Sequence, residues 1–224
     1  MIDNSPRIRQ AKKLARKQGK RLPAQRILIV SEGTKTEPHY FEDIRITERL
    51  PTLNVKVLHS NHKTESQQVV SHAEKLFIKG DEDKKIKPRS FEKVYAIFDR
   101  DSHLSYYQAL EKAKAINQQK LRNDEGKAIT FEAIVSVPCF ELWLLLHFEQ
   151  CLTPLHRDDA LEKVKNYLKN YEKGQSGYYQ ATKDYLETAN AHAKILEEQY
   201  DAWDGVNSYT NIHQLVDRLI HLKP

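Results

Sequence analysis

Several features that would place a chain of this length in a familiar class of protein are missing from this sequence. Its 224 residues include two cysteines, Cys139 and Cys151, which make neither a disulfide framework nor a zinc motif. The most apolar helical run, residues 142–146, is far too short to cross a bilayer, and no secretion signal is recognised. We therefore expect a cytoplasmic protein with no membrane contact, in which both thiols are buried.

Several catalytic motifs are missing as well. The sequence contains no Walker A loop and no GxGxxG, HExxH or GxSxG pattern. Nucleotide hydrolysis by a P-loop and serine hydrolase chemistry therefore have no support. The functional residues have to be sought in the order of strands and acidic residues.

Positive charge is concentrated at the amino-terminal end. Residues 1–26 contain nine basic residues and one acid, a local net charge of +8, whereas the remaining chain contains 27 basic and 30 acidic residues. A basic arm on a mildly acidic body favours a polyanion such as nucleic acid, because neutralising phosphates releases counterions. The alternative is a solvated leader that keeps the protein soluble. We expect residues 1–24 to form an arm outside the core.

Apolar runs and helical patterns alternate through residues 25–150. Strands are predicted at 27–30, 53–58, 93–98 and within 128–137, each followed by a helical pattern. Four βα units in a row predict an α/β core with a mostly parallel four-stranded sheet and flanking helices. Helical patterns alone follow, at 158–171, 179–199 and 210–222. Residues 151–224 are therefore predicted to be an all-helical extension packed on the core.

Acidic side chains stand where two of the predicted strands end. Glu32 follows the first strand, and Asp99 and Asp101 follow the third. The carboxyl ends of parallel strands are where open α/β sheets bind ligands, and three converging carboxylates favour Mg²⁺ or Mn²⁺ with oxygen ligands. Residues two apart at a strand end point the same way, so Asp99 and Asp101 can share a metal while Arg100 points elsewhere. An isolated Asp-x-Asp is equally typical of helix caps.

The order of these motifs resembles a known domain and a known family. A strand ending in Glu-Gly, followed about 70 residues later by a strand ending in Asp-x-Asp, resembles the Toprim domain of topoisomerases, primases and several nucleases. The resemblance is closer to the RloB-like family, Toprim-related proteins encoded at restriction and phage-defence loci. It rests on ILIVSEGTKTEPHYF, FDRDSH, PCFELWLLLHF and NSYTNIHQLVDRL. It implies a Toprim-like core, with Glu32 as general acid/base or metal-adjacent carboxylate and Asp99 and Asp101 as metal ligands.

The sequence departs from the Toprim pattern at one place. Toprim domains often have a further acid a few residues after the Asp-x-Asp, where this chain has Ser102 and His103. Glu141, which follows the fourth strand near a helix start, is the candidate to replace that metal ligand. The alternative is a first-turn glutamate favoured by the helix dipole.

Other residues near the motifs are candidates for binding the substrate. Lys35 would offset charge on a transferring phosphate, and His39 and His103 would orient a phosphate or relay a proton. The alternative for each is a polar surface residue. Glu37 either supports the metal ligands or forms a capping box with Thr34. The full set of candidate substrate-binding residues is Lys35, His39, Arg100, His103, Lys173 and Tyr178.

Lysines and tyrosines interleave between residues 163 and 183. Single-stranded nucleic acid binds to such a mixture through base stacking and backbone attraction. Alternatively, Tyr167 and Tyr171, four apart on a predicted helix, pack on the core.

Two functions are compatible with these observations. The first is a metal-dependent nuclease that cleaves DNA or RNA in bacterial phage defence or abortive infection, acting with a partner ATPase from the same locus by family analogy. The second is a non-catalytic subunit that binds or senses nucleic acid on a Toprim-like scaffold.

Overall fold

The computed structural model describes residues 25–60, 65–100 and 105–222. The predicted basic arm, Asp101 and His103 lie outside the described residues. Within these ranges, no helix is long and apolar enough to span a membrane.

A five-stranded sheet forms the centre of the fold. Its order is β2-β1-β3-β4-β5, with β1 (Ile27–Ser31), β2 (Val55–His59), β3 (Lys93–Asp99) and β4 (Thr130–Val137) parallel. The predicted α/β class and the mostly parallel sheet are confirmed. The predicted count of four strands is wrong, because β5 (Tyr209–Thr210) pairs antiparallel with the end of β4.

The extra strand also corrects the prediction of an all-helical carboxyl-terminal region. Thr210 Oγ1 lies 3.0 Å from Ser136 Oγ and donates a hydrogen bond to the Val135 carbonyl oxygen. Asn211 then accepts a hydrogen bond from the Val135 N–H at 2.7 Å. Side-chain bonds to β4 thus keep Tyr209 and Thr210 extended and delay the start of the helix, which was predicted at residue 210, to Ile212.

Helices cover both faces of the sheet, which explains the unbroken apolar run of β1. Ile27 and Ile29 point to one core cluster, and Leu28 and Val30 point to the other. The second cluster lies under α2 (Ser66–Lys79) and α3 (Ser105–Gln118). The first lies under the remaining helices: α1 (Thr36–Thr47), α4 (Glu141–Leu145), α5 (Arg157–Tyr167), α6 (Tyr178–Thr182), α7 (Leu186–Gln199) and α8 (Ile212–Ile220).

The helix predicted across residues 179–199 is broken into three pieces. A 3₁₀ turn, Lys183–Tyr185, separates α6 from α7. The buried Thr182 hydroxyl donates a hydrogen bond to the Tyr178 carbonyl at 2.7 Å, a bond of the kind that bends helices. The break directs Tyr185 outward, with half of its surface exposed.

The short helix α4 joins two parts of the first core cluster: the residues of α1, β1 and β3, and those of the helices after residue 150. Its Trp143 is fully buried, and the indole N–H donates to the Tyr40 hydroxyl of α1 at 2.9 Å. Because α4 also contacts α5 and α7, the helices after residue 150 share one core with β1 and β3.

Candidate functional site

The ends of β1 and β3 place two of the predicted acids side by side. Ser31 pairs with Ile97 in the parallel ladder, and the Glu32 N–H donates to the Ile97 carbonyl at 2.8 Å. Glu32 therefore lies beside the last residues of β3, of which Asp99 is the final one. Both side chains line a cleft of about 720 Å³ at the carboxyl edge of the sheet. The other lining residues are Gly33, Thr34, Lys35, Thr36, Glu37, His59, Ser60, Phe140, Glu141, Arg157, Lys173 and Gly174.

Glu37 enters the cleft because residue 33 is a glycine. The Glu37 carboxylate lies so close to Gly33 that a Cβ there would overlap it. Lys35 is the N-cap residue of α1 and no side chain caps the helix, so the predicted capping box between Thr34 and Glu37 is wrong. Glu37 is 7 % exposed and is a cleft acid instead.

Glu141 is the most buried of the cleft carboxylates. It is the first residue of α4 and 2 % exposed. The Tyr171 hydroxyl donates to Glu141 Oε1 at 2.9 Å, and Lys173 Nζ lies 3.1 Å from the same oxygen. Burial raises the pKa of Glu141, but Lys173, Cys139 and Tyr171 outweigh burial, so that the net pKa is lowered. Glu141 is therefore ionised, and the positive charge of Lys173 compensates its negative charge.

Residues 168–177, which we call the strap, bring Tyr171 and Lys173 to the cleft. The strap connects α5 to α6 and is bound to α1 at two points. The Gly174 N–H donates to Thr36 Oγ1 at 3.1 Å, and the Gly177 N–H donates to the Asp43 carboxylate. Gly174 has a φ of +86° and lies against the Lys35 side chain, a conformation and a contact that suit glycine.

Arg157 is the functional residue that the sequence analysis missed. It begins α5 and its Nη2 lies 3.2 Å from Asp99 Oδ2 across the cleft. The sequence around residue 157 does not indicate this contact, because 58 residues separate Arg157 from Asp99. The cleft thus has a cation beside Asp99 and another beside Glu141.

The acids of the cleft interact strongly. Burial raises the pKa of Asp99 well above its usual range, and the charges of Glu37 and Glu141 raise it further. Arg157 lowers the Asp99 pKa and Glu32 raises it, both by less. At Asp99 the effect of the neighbouring acids on the pKa therefore outweighs that of Arg157.

These residues fit a divalent cation of the magnesium type. The acids offer only oxygen ligands, which Mg²⁺ and Mn²⁺ prefer, and the charges of Glu37 and Glu141 add to burial in raising the pKa of Asp99. Among the residues described, however, the only three metal-ligating side chains whose ligand atoms all lie within 4.8 Å of one another are Glu92, Asp124 and Glu125. These three surround Arg26 at the opposite edge of the sheet, where its guanidinium compensates them.

The remaining predicted substrate-binding residues are distributed unevenly. Lys35 and Lys173 line the cleft, whereas His39 lies further along α1, near Asp43. Arg100 Nε lies beside Gly205, so the structure does not bring this candidate substrate-binding residue to the cleft. Tyr178 is buried, and its hydroxyl accepts the Glu172 N–H and donates to the Glu172 carbonyl, so it braces the strap.

Glu37→Gln is expected to stabilise the protein in a pH-dependent way. Burial, and then the charge of Glu141, raise the pKa of Glu37 above its ordinary 4.5, so the native state binds more protons than the unfolded state above that pH. Native stability is therefore lost as the pH rises through the raised pKa. The variant should exceed the wild type in free energy of unfolding at pH 7 to 8, with the gap closing towards pH 4.5.

Urea unfolding at a series of pH values measures this gap. Glu198→Gln, at an exposed position on α7, is the matched control and should show no gap at any pH. A gap for Glu37→Gln that stays constant from pH 4.5 to 8 would contradict the assignment.

Comparison with known proteins supports one relationship. A family model described as RloB-like protein matches residues 27–219, nearly the whole described chain. The comparisons with curated proteins and with solved structures returned no match. The matched region contains both strand-end motifs, the strap and Arg157.

Proposed function

The chain belongs to the RloB-like family, and from that premise we propose that it is a metal-dependent nuclease that cleaves phosphodiester bonds in nucleic acid. Membership is consistent with a protein of a phage-defence locus. In this proposal the nuclease acts in phage defence or abortive infection, with a partner ATPase from the same locus controlling it.

The observation that carries the proposal is the composition of the cleft. Glu32 and Asp99 reach it from neighbouring parallel strands, and Arg157 and Lys173 reach it from the carboxyl-terminal part of the chain. Carboxylates that bind a metal, next to cations that contact phosphate oxygens, are the two components that phosphodiester cleavage requires. The cleft of about 720 Å³ is large enough for a nucleotide unit.

Each residue has a distinct role in this mechanism. Asp99 and Glu32 would bind the cation, with Asp101 beside them by sequence, and the bound cation supplies Lewis acidity and a water of lowered pKa. Glu32 accepts the proton of the attacking water. Arg157 and Lys173 turn from their carboxylates to the phosphate oxygens and stabilise the charge that develops there.

A substrate panel tests the proposal. Plasmid DNA, single-stranded oligonucleotides and tRNA are incubated with the wild type and with Glu32→Gln, in Mg²⁺, in Mn²⁺ and in EDTA. We expect cleavage of at least one substrate by the wild type that depends on the metal and is lost in the variant. Cleavage that persists in EDTA, or that Glu32→Gln retains in full, would rule out the mechanism.

The ion pairs of the cleft also favour a second candidate, a non-catalytic subunit that binds or senses nucleic acid. Arg157 and Lys173 already compensate Asp99 and Glu141, which leaves fewer free carboxylates for a metal. This candidate predicts salt-dependent binding of nucleic acid without turnover in either metal. The same panel, read for binding as well as cleavage, separates the two functions.

A further inference from the structure

The interleaved lysines and tyrosines of residues 163–183 separate into two groups in the structure. Tyr171, Tyr178 and Tyr179 are buried, so the packing alternative, which concerned Tyr167 and Tyr171, is correct for Tyr171 only. Tyr167 and Tyr185 are instead 44 % and 50 % exposed. Packing on the core therefore accounts for three of the four tyrosines of residues 163–183 and leaves Tyr167 at the surface, where Tyr185, just beyond that range, is also exposed.

The two exposed tyrosines flank one partly buried phenylalanine. The rings of Phe148 and Tyr167 are stacked, with centroids 4.8 Å apart and planes 5° from parallel, and the Tyr185 ring lies 5.4 Å from Phe148. We call these three rings the aromatic ledge. Phe148 covers one face of the Tyr167 ring, and 44 % of the Tyr167 surface remains exposed. A flat, open aromatic face is the surface on which a nucleobase stacks.

Glu149 fixes the orientation of the ledge. The Tyr167 hydroxyl donates to Glu149 Oε2 at 2.8 Å, and Lys163 binds the other oxygen of the same carboxylate. Stacking on Phe148 and the hydrogen bond to Glu149 thus hold the Tyr167 ring parallel to the Phe148 ring. An aromatic ring that is already oriented loses little conformational freedom when it binds a base.

The end of α5 and the start of the strap contain more lysines than acids. Residues 163–173 contain four lysines and one acid, Glu172, and Lys163 and Lys173 of these are paired with Glu149 and Glu141. The other two, Lys165 and Lys169, are exposed and lie two positions before and after Tyr167 in the sequence. Exposed rings next to cations suit a single strand, whose bases are free to stack while its phosphates meet the lysines.

Helix α5 and the strap connect the ledge to the cleft. Arg157, at the start of α5, contacts Asp99, and Tyr167 ends the same helix about 15 Å away. The strap then returns from Tyr167 to Lys173 in the cleft. A strand of a few nucleotides spans this distance.

We propose that the aromatic ledge stacks the bases of single-stranded nucleic acid whose backbone reaches the cleft. The proposal deepens the proposed function by naming its substrate class and rests on it to that extent. Stacking requires unpaired bases, so the ledge selects single strands, or single-stranded loops, over duplexes.

Fluorescence anisotropy with labelled oligothymidylate and oligouridylate tests the ledge, in EDTA so that cleavage plays no part. Tyr167→Ala should weaken binding of both probes about tenfold, the loss of one stacked base. Tyr167→Phe, which keeps the ring stacked on Phe148 and loses the bond to Glu149, should weaken binding by less than Tyr167→Ala does. A labelled duplex of equal length should bind the wild type and Tyr167→Ala equally.

Trp203→Ala is the matched control, because Trp203 is an exposed aromatic residue beside Lys114 and outside the ledge. Thermal melts confirm that each variant is folded. Unchanged affinity of Tyr167→Ala, or an equal loss in Trp203→Ala, would overturn the proposal. A dimer in light scattering that dissociates in Tyr167→Ala would also overturn it, since the ledge would then be an interface between copies. If Tyr167→Ala loses binding while the substrate panel shows no cleavage, the proposed nuclease activity is wrong. The proposal that the ledge binds single-stranded nucleic acid is then still supported.

Discussion

Asp99→Asn is expected to abolish metal-dependent cleavage, with a loss of about a thousandfold or more in turnover. Asp99 ends β3 in the middle of the cleft and interacts electrostatically with Glu32, Glu37 and Glu141. An amide keeps the size of the side chain but removes the negative charge that a dication needs. Single-turnover cleavage of the substrate identified by the panel, at saturating Mg²⁺, measures the loss.

Three further measurements separate lost chemistry from lost structure. Asp217→Asn, an exposed acid on α8, should cleave like the wild type. Binding of nucleic acid in EDTA should not weaken in Asp99→Asn, because the substitution removes a negative charge from the cleft and leaves Arg157 and Lys173 in place. Mg²⁺ should raise the melting temperature of the wild type and not that of the variant, since only the wild type binds the ion. Full turnover by Asp99→Asn would refute the assignment of the cleft.

Trp143→Ala is expected to lower the free energy of unfolding by about 3–5 kcal/mol. The side chain is fully buried between the sheet and the carboxyl-terminal helices, with its ring 4.8 Å from that of His147. Its removal leaves a cavity and also leaves the buried Tyr40 hydroxyl without its indole donor. Because Tyr40 lies on the helix of Glu37 and Trp143 on the helix of Glu141, the substitution should also loosen the cleft.

Two other variants serve as comparisons for the loss of stability in Trp143→Ala. Trp143→Phe keeps much of the ring and loses the hydrogen bond to Tyr40, at an expected cost of about 1–3 kcal/mol. Trp203→Ala, at a 40 % exposed position, should change stability by less than about 0.5 kcal/mol. Urea unfolding followed by circular dichroism compares the three. A loss for Trp143→Ala no larger than that for Trp203→Ala would contradict the role of Trp143 in joining the helices.

The parts of the site that the sequence predicted are those with a local signal. The apolar run of β1 stops at Ser31, and the parallel pairing of β1 with β3 follows from the repeated βα units, so Glu32 and Asp99 were placed at one edge. Their neighbour Arg157 could not be found in this way, because its position depends on how α5 packs against α4. Such a tertiary contact leaves no periodicity in the sequence.

The strand β5 and the burial of Glu37 were missed for similar reasons. Two residues are too few to produce an alternating pattern, and β5 exists because Thr210 bonds to the end of β4. For Glu37 the sequence left two alternatives open, one of them a capping box with Thr34 three positions before it. The absence of a side chain at Gly33 let the carboxylate turn into the cleft instead.

The strap has a consequence for any attempt to recombine this fold with that of a relative. The two cations that are paired with cleft acids, Arg157 and Lys173, come from beyond residue 150, while their partners Asp99 and Glu141 come from before it. A chimera joined at that point would inherit half of each ion pair from each parent. Functional hybrids should therefore arise only when residues 99 and 157, and residues 141 and 173, are exchanged as matched pairs.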